Sequence, residues 1–234
     1  MAPTLNLKKH VGIKGLLVCK TGMRIGGTES EMGIGSAENP IIRDAKGTPY
    51  IPGSSIKGKM RSMLEYKHDR VGWQWKKERG ERHLIKSGGT PCGCGHPLDD
   101  CQVCTIFGPH MNTEHELGPS RIIVRDAFLS GSSLKEWERS QNGEGSLTEI
   151  KTENIIDRST GRAADHGLRT QERLNSGTEF ALNISVRIFE GDDEKRIVDI
   201  IKEGISLINK DYLGGSGTRG YGWVEIKDLE VTDL

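Results

Sequence analysis

Between positions 10 and 19, Val11, Ile13, Leu17 and Cys19 recur at every second residue or a multiple of it, which predicts a strand with one buried face. Phe180, Leu182, Ile184, Val186 and Ile188 alternate without interruption and predict a second. Arg121-Ile122-Ile123-Val124 reads as a short buried strand, and Val224 with Ile226 begins a last one. Two segments change to the helical period. After Pro52-Gly53-Ser54-Ser55, the residues Ile56, Met60, Met63 and Leu64 share one face, with Ser54 or Ser55 as the expected cap. After Asp192 or Asp193, again an expected cap, Ile197, Ile200, Ile201, Ile205 and Ile208 fall on one stripe. Strand, helix, strand, repeated twice, is the order of an α+β, ferredoxin-like domain.

Two stretches lack such periodicity. Residues 66–113 are irregular and basic and hold four of the five cysteines, so they read as an insertion and not as a core element. Residues 130–173 are polar and read as an extended excursion. The expected organisation is therefore one domain over 1–234 with two insertions.

Composition sharpens this picture. Hydrophobic residues make up 34% and aromatics 5% of the chain, against 28% charged, which is lean enough that partners are expected to complete part of the surface. The chain has 31 glycines in 234 residues, nearly double the usual share of about 7%. They gather in particular loops, as backbone approaching a ligand requires. Net charge is formally zero, but positions 57–86 carry ten Lys/Arg against four Asp/Glu, while positions 187–234 carry seven against eleven. Such asymmetry suits contact between identical subunits or a basic face for phosphates. No apolar run approaches membrane-spanning length and no leader is evident, so the expected location is the cytoplasm, where thiols stay reduced.

Three constellations carry candidate chemistry. Ser54, Ser55, Lys57, Lys59 and Arg61 put hydroxyls, free N–H groups and three cations at a helix start, an anion site by geometry. In the loop 213–222, Gly215, Gly217 and Gly220 match G-x-G-x-x-G, but a helix precedes and a strand follows, the reverse of a dinucleotide fingerprint. There the glycines open backbone N–H groups toward phosphates, and Arg219 adds a cation. Cys92, Cys94, Cys101 and Cys104 have the spacing of a four-ligand structural zinc site, with His96 as an alternative ligand. Four protein ligands leave no open position for catalysis. No HExxH, Ser-His-Asp, Cys-His or P-loop pattern is present.

These segments together resemble the repeated backbone subunit of type III-A (Csm-type) CRISPR effector complexes, in the RAMP superfamily. The resemblance rests on Gly26-Gly27, Ser36 to Asp44, Ile51 to Arg61, Ile106-Phe107-Gly108, Arg125 to Leu129, Thr148-Glu149 to Asp157-Arg158, and Asp211 to Gly222, in the family's order. It implies an RRM-like palm, a thumb hairpin formed by about 149–173 that kinks the guide–target duplex, and several copies stacked along a guide crRNA with other effector subunits. Arg24, Gly26, Gly27, Arg43, Ser54, Ser55, Lys57, Lys59, Arg61, Arg158, Gly215, Ser216, Gly217, Arg219 and Tyr221 are the implied RNA-binding residues. Sequence is then read by base pairing and the protein holds backbone.

The resemblance also implies cleavage of target RNA beside each kink, by a carboxylate acting through a divalent cation such as Mg or through proton transfer. The family's catalytic Asp is matched here by Glu38, and a family histidine before the Gly-Gly pair by Arg24. Three readings follow: a guide-binding endoribonuclease using Glu38, the same backbone subunit without nuclease activity, and a stand-alone zinc-stapled RNA-binding module.

Overall fold

The structure is a computed structural model that describes residues 5–26, 39–78, 81–95 and 101–234. The chain opens with β1 (Leu7–Cys19), and β2 (Tyr50–Ile51) leads directly into α1 (Gly53–Lys67). A hairpin of β3 (Trp73–Glu78) and β4 (Glu81–Lys86) precedes α2 (Gln102–Phe107), β5 (Ile122–Val124) and β6 (Ala127–Phe128). After α3 (Gly131–Gln141) comes a long hairpin of β7 (Thr148–Ile156) and β8 (Ala163–Leu174). The last elements are β9 (Glu179–Phe189), α4 (Glu194–Asn209) and β10 (Val224–Asp233).

The main sheet has the order β10-β1-β9-β5, and every neighbouring pair is antiparallel. It is a mixed α/β fold made of two strand–helix–strand units. The alternation in β1 and β9 turns Val11, Ile13, Leu17, Phe180, Leu182, Ile184 and Val186 into the core, where each is at most 2% exposed. Ile56, Met60 and Leu64 of α1 and Ile197, Ile201, Ile205 and Ile208 of α4 close over them. Each such side chain contributes about 1.5–3 kcal/mol on leaving water. The two helices meet at Gly204, where a Cβ would stand 2.4 Å from Met60 Cγ, so α4 needs a residue without a side chain there. Cys19 lies in this core, and burial pushes its thiol up to about 12.

Several expectations need correction. Neither Ser54 nor Ser55 caps α1: the boundary residue is Pro52, and Gly53 N–H donates to Asp126 Oδ1 at 2.8 Å. A carboxylate 73 residues away takes the orphan donor, and Gly53 packs so tightly on Val124 that a Cβ would lie 2.2 Å from its carbonyl. At α4 the cap is Asp193, which accepts from Arg196 N–H at 3.0 Å, while Asp192 instead binds Arg121 Nη2 at 2.8 Å. The stretch 66–113 is not wholly irregular. It contains the β3–β4 hairpin and α2, and Val103, Ile106 and Phe107 join the main core because α2 packs on α1 and α4. The stretch 130–173 likewise contains a helix, α3, before its hairpin.

Candidate RNA-binding surface and cysteine centre

Four of the implied elements meet around the loop that follows α4. Gly215 N–H donates to the Arg24 carbonyl at 2.8 Å, which fastens this loop to the segment after β1. Gly214 has φ +85°, and a Cβ on it would lie 2.3 Å from that same carbonyl. A Cβ on Gly217 would sit 2.0 Å from the Tyr212 ring, so the tight packing of the loop on its own tyrosine requires glycine. Lys59 of α1 reaches the start of the loop, with Nζ 2.9 Å from Asp211 Oδ2 and 3.8 Å above the Tyr212 ring. The helix before and the strand after confirm that this is no dinucleotide-binding turn.

The β7–β8 hairpin is pinned to the same place. Its register sets Glu149 opposite Arg173, Lys151 opposite Gln171 and Glu153 opposite Arg169, so all six side chains share one face. Tyr221 is the post on which this face rests. It is 1% exposed, its hydroxyl donates to Glu153 Oε1 at 2.8 Å, and Lys151 and Arg173 lie 4.6 and 4.7 Å from its ring centre. Glu153 Oε2 also lies 3.2 Å from Arg169 Nη2 and 3.0 Å from Arg219 Nη1. The Tyr221 hydrogen bond and the charges of Arg219 and Arg169 hold the Glu153 carboxyl below its ordinary range. Burial, followed by the Glu153 partner, pushes Tyr221 up. On the other face of the hairpin root Glu172 accepts from Arg43 Nη1 at 2.9 Å and from Ile41 N–H at 3.1 Å. Burial alone would raise Glu172, yet Arg43 and the Ile41 amide hold it lowered.

The implied RNA-binding residues therefore divide. Ser54 is exposed, and Ser55 and Lys57 are half-buried in the first turns of α1. Among the described residues the Lys57 ammonium has no hydrogen-bond or ion-pair partner, and burial with the nearby Arg61 and Arg187 charges lowers its pKa. Arg158 is exposed at the hairpin tip, where it donates to the Ile156 carbonyl at 2.8 Å. Arg24 stands beside the glycine loop with Nη2 3.3 Å from Asn39 Oδ1 and a buried Nε that has no partner among the described residues. Gly26 bridges to Ile41. Arg219 is held by Ser216 and Glu153, Arg43 by Glu172, and Tyr221 inside the hairpin root. Gly27 and Glu38 lie outside the described residues. Sequence reading passed over Glu153, Arg169, Gln171 and Arg173, because their partners lie far along the chain. The period-two register of the hairpin is the one sequence signal that groups them.

Arg61 serves the cysteine centre at the far end of α1. Its Nε donates to Glu65 Oε1 at 2.8 Å and its Nη2 to the Cys92 carbonyl at 2.6 Å. Glu65 in turn accepts from Cys92 N–H at 2.8 Å. Trp75 Nε1–H holds the Cys94 carbonyl at 2.5 Å, and Asn112 holds the Gly93 carbonyl at 2.9 Å. The four sulfurs are buried, and the Cys92–Cys94, Cys92–Cys101, Cys94–Cys104 and Cys92–Cys104 separations are 3.4, 3.9, 3.6 and 3.6 Å. A disulfide needs about 2.05 Å, whereas a tetrahedral ion with Zn–S near 2.3 Å spaces its sulfurs by about 3.8 Å. The cluster could hold zinc. His96 lies outside the described residues.

The model of the RAMP superfamily matches residues 16–225. The chain is 39% identical to a "CRISPR system Cms endoribonuclease Csm3" of Methanothermobacter thermautotrophicus, over 98% of this chain and 88% of that protein. It is 39% identical to the protein of the same description from Methanocaldococcus jannaschii, over 97% of this chain and 82% of the other. Among solved structures, the Csm3-Csm4 subcomplex of the type III-A CRISPR-Cas interference complex is similar with TM-score 0.59 and 28% identity, covering 98% of this chain and 81% of that one. No helix among the described residues is long and apolar enough to cross a membrane.

Proposed function

Because this chain belongs to the RAMP superfamily, and within it to the Csm-type, type III-A family of backbone subunits, we propose that it is the repeated subunit of a type III CRISPR ribonucleoprotein. It grips a guide crRNA by the backbone and cleaves the paired target RNA at regular intervals. Its partners are copies of itself and the other effector subunits, working in the cytoplasm as one 1–234 domain with its two insertions. The observation that carries this is the junction just described. Helix α1 through Lys59, the segment bearing Arg24, the glycine loop and the root of a long hairpin meet there. At the start of the same helix, exposed Ser54 and Lys57, whose ammonium has no partner among the described residues, supply donors to phosphate.

The strand order β10-β1-β9-β5 under α1 and α4 supports a ferredoxin-like palm, and β7–β8, tipped by Arg158, is the thumb. A bound zinc at Cys92, Cys94, Cys101 and Cys104 is structural, stapling the lobe to α1 through Arg61 and Glu65. His96 is needed only if one thiolate is absent from the ion. Cleavage falls to Glu38. A divalent cation such as Mg at that carboxylate would stabilise charge on the scissile phosphate, and Asn39, held by Arg24 and the Thr170 carbonyl, fixes the chain next to it.

The assembled complex tests this directly. Purified with its genomic neighbours, it is expected to carry an RNA of defined length and to cut a complementary target at even spacing, and EDTA stops the cutting. Glu38→Ala keeps the guide and loses cleavage. An assembly without RNA defeats the proposal, and undiminished cutting by the variant removes Glu38 from it.

A further inference from the structure

We propose that the ring pair Tyr50–Phe128 is a stacking platform for one unpaired nucleotide of bound RNA, with Arg125 engaging its phosphate. The proposal rests on the RNA-binding function above and adds a site to it. The segment Arg125-Asp126-Ala127-Phe128-Leu129 otherwise has only one explained side chain of chemical interest, Asp126, which caps α1.

β2 and β6 pair so that Tyr50 faces Phe128, with ring centres 5.9 Å apart and planes inclined by 26°. Ala127 and Leu129 point into the core, which fixes Phe128 outward by strand alternation. Its ring stays 51% exposed, an unusual position for a phenylalanine braced from behind by a second aromatic. Beside it lies a groove of about 550 Å³ whose walls include Phe128, Arg125, Asp126 and Asn183. Among the described residues the Arg125 guanidinium has no hydrogen-bond or ion-pair partner, although its backbone N–H is fixed on the Asn183 carbonyl at 3.1 Å. A flat apolar face, a free cation and an amide with a carboxylate edge match the three parts of a nucleotide. The aromatic face takes the base, the cation its phosphate, and the polar edge the base's hydrogen-bonding groups. The groove is also next to α1, since Gly53 packs against Val124, so an RNA backbone held at Ser54 and Lys57 is directed past it.

The other candidate occupant is a second copy of this chain, whose hairpin carries exposed Ile150, Ile155, Ile156 and Leu168. Those four apolar side chains would give the Arg125 guanidinium no counter-charge in a closed interface, whereas a phosphate does. Stacking on an aromatic face is general for any base, as a subunit that accepts every guide requires.

The test uses the full chain with a single-stranded RNA carrying one 4-thiouridine at successive positions. Irradiation is expected to crosslink the peptide containing Phe128. Phe128→Leu keeps the apolar bulk and should lower affinity about tenfold, while Phe128→Tyr retains it. Arg125→Gln should lessen the slope of log affinity against log salt by about one. Circular dichroism controls for folding, and light scattering reports self-association. Wild-type affinity in Phe128→Leu overturns the platform, and so does loss of self-association with RNA affinity intact, which would make this a protein interface. If the wild-type chain binds no RNA at all, the failure belongs to the proposed function instead.

Discussion

The hairpin root and the cysteine centre are held by opposite means. At the root, unlike charges face one another: Glu153 lies against Tyr221, Arg169 and Arg219, and Glu172 against Arg43, while Glu153 Oε2, Arg169 Nε and Gln171 Oε1 are buried without a hydrogen-bond partner among the described residues. At the centre, four like groups face each other within 4.8 Å inside a frame that includes Arg61, Glu65, Trp75 and Asn112. Four thiolates at this spacing would repel one another without a cation among them. One region is balanced by opposite charges from the chain itself, while the other gathers four sulfurs that could hold an ion.

Breaking the cysteine centre should have the largest effect. Cys94→Ser with Cys104→Ser, or prolonged chelation, is expected to release about one zinc per chain and to lower Tm by about 10 °C or more, read by metal analysis and calorimetry. Retention of Tm without metal would end the contrast. Next is Gly217→Ala, whose methyl must displace the Tyr212 ring. Overpacking of this kind costs about 1–3 kcal/mol, or roughly 3–10 °C in Tm, together with a loss of RNA affinity. Tyr221→Phe leaves the ring in place and removes one donor from Glu153. Thermal melting should drop by only about 2–5 °C, from a cost on the order of 1–2 kcal/mol, while metal content is unchanged.

Acid separates the two regions. Glu153 and Glu172 are held below their ordinary values, so the folded state takes up protons less readily than the unfolded state. Their stabilisation is complete above the unfolded carboxyl value of about 4.3 and is lost as pH falls through the lower folded values. Protons compete with zinc for thiolates, so the metal should leave at a higher pH than the root loosens. A titration followed by metal release and by tyrosine fluorescence should show two steps, the metal first. The smallest effect is Lys57→Met, with fold and metal unchanged and the salt slope of RNA binding reduced by about one.

Helix α3 was not legible in the sequence because its packing is mostly polar. Ser133 is buried and its hydroxyl accepts from the Glu179 N–H at 2.9 Å, while Leu134 stays 42% exposed, so no apolar stripe announces it. The cap of α1 was misread for a related reason: a serine at the right place was passed over for Asp126, which the fold delivers from β6's approach.

The sequence by itself determined the strands of Val11 to Cys19 and Phe180 to Ile188, the two apolar helices between strands, and the cysteine spacing, because periodicity and spacing are local. The tertiary structure alone decided which cations remain available to a ligand. Arg43 meets Glu172 across 129 residues and Tyr221 meets Glu153 across 68, whereas Lys57 and Arg125 are left without a partner among the described residues. A charge is visible in the sequence, but whether it is already neutralised depends on which distant carboxylate the fold brings within about 3 Å.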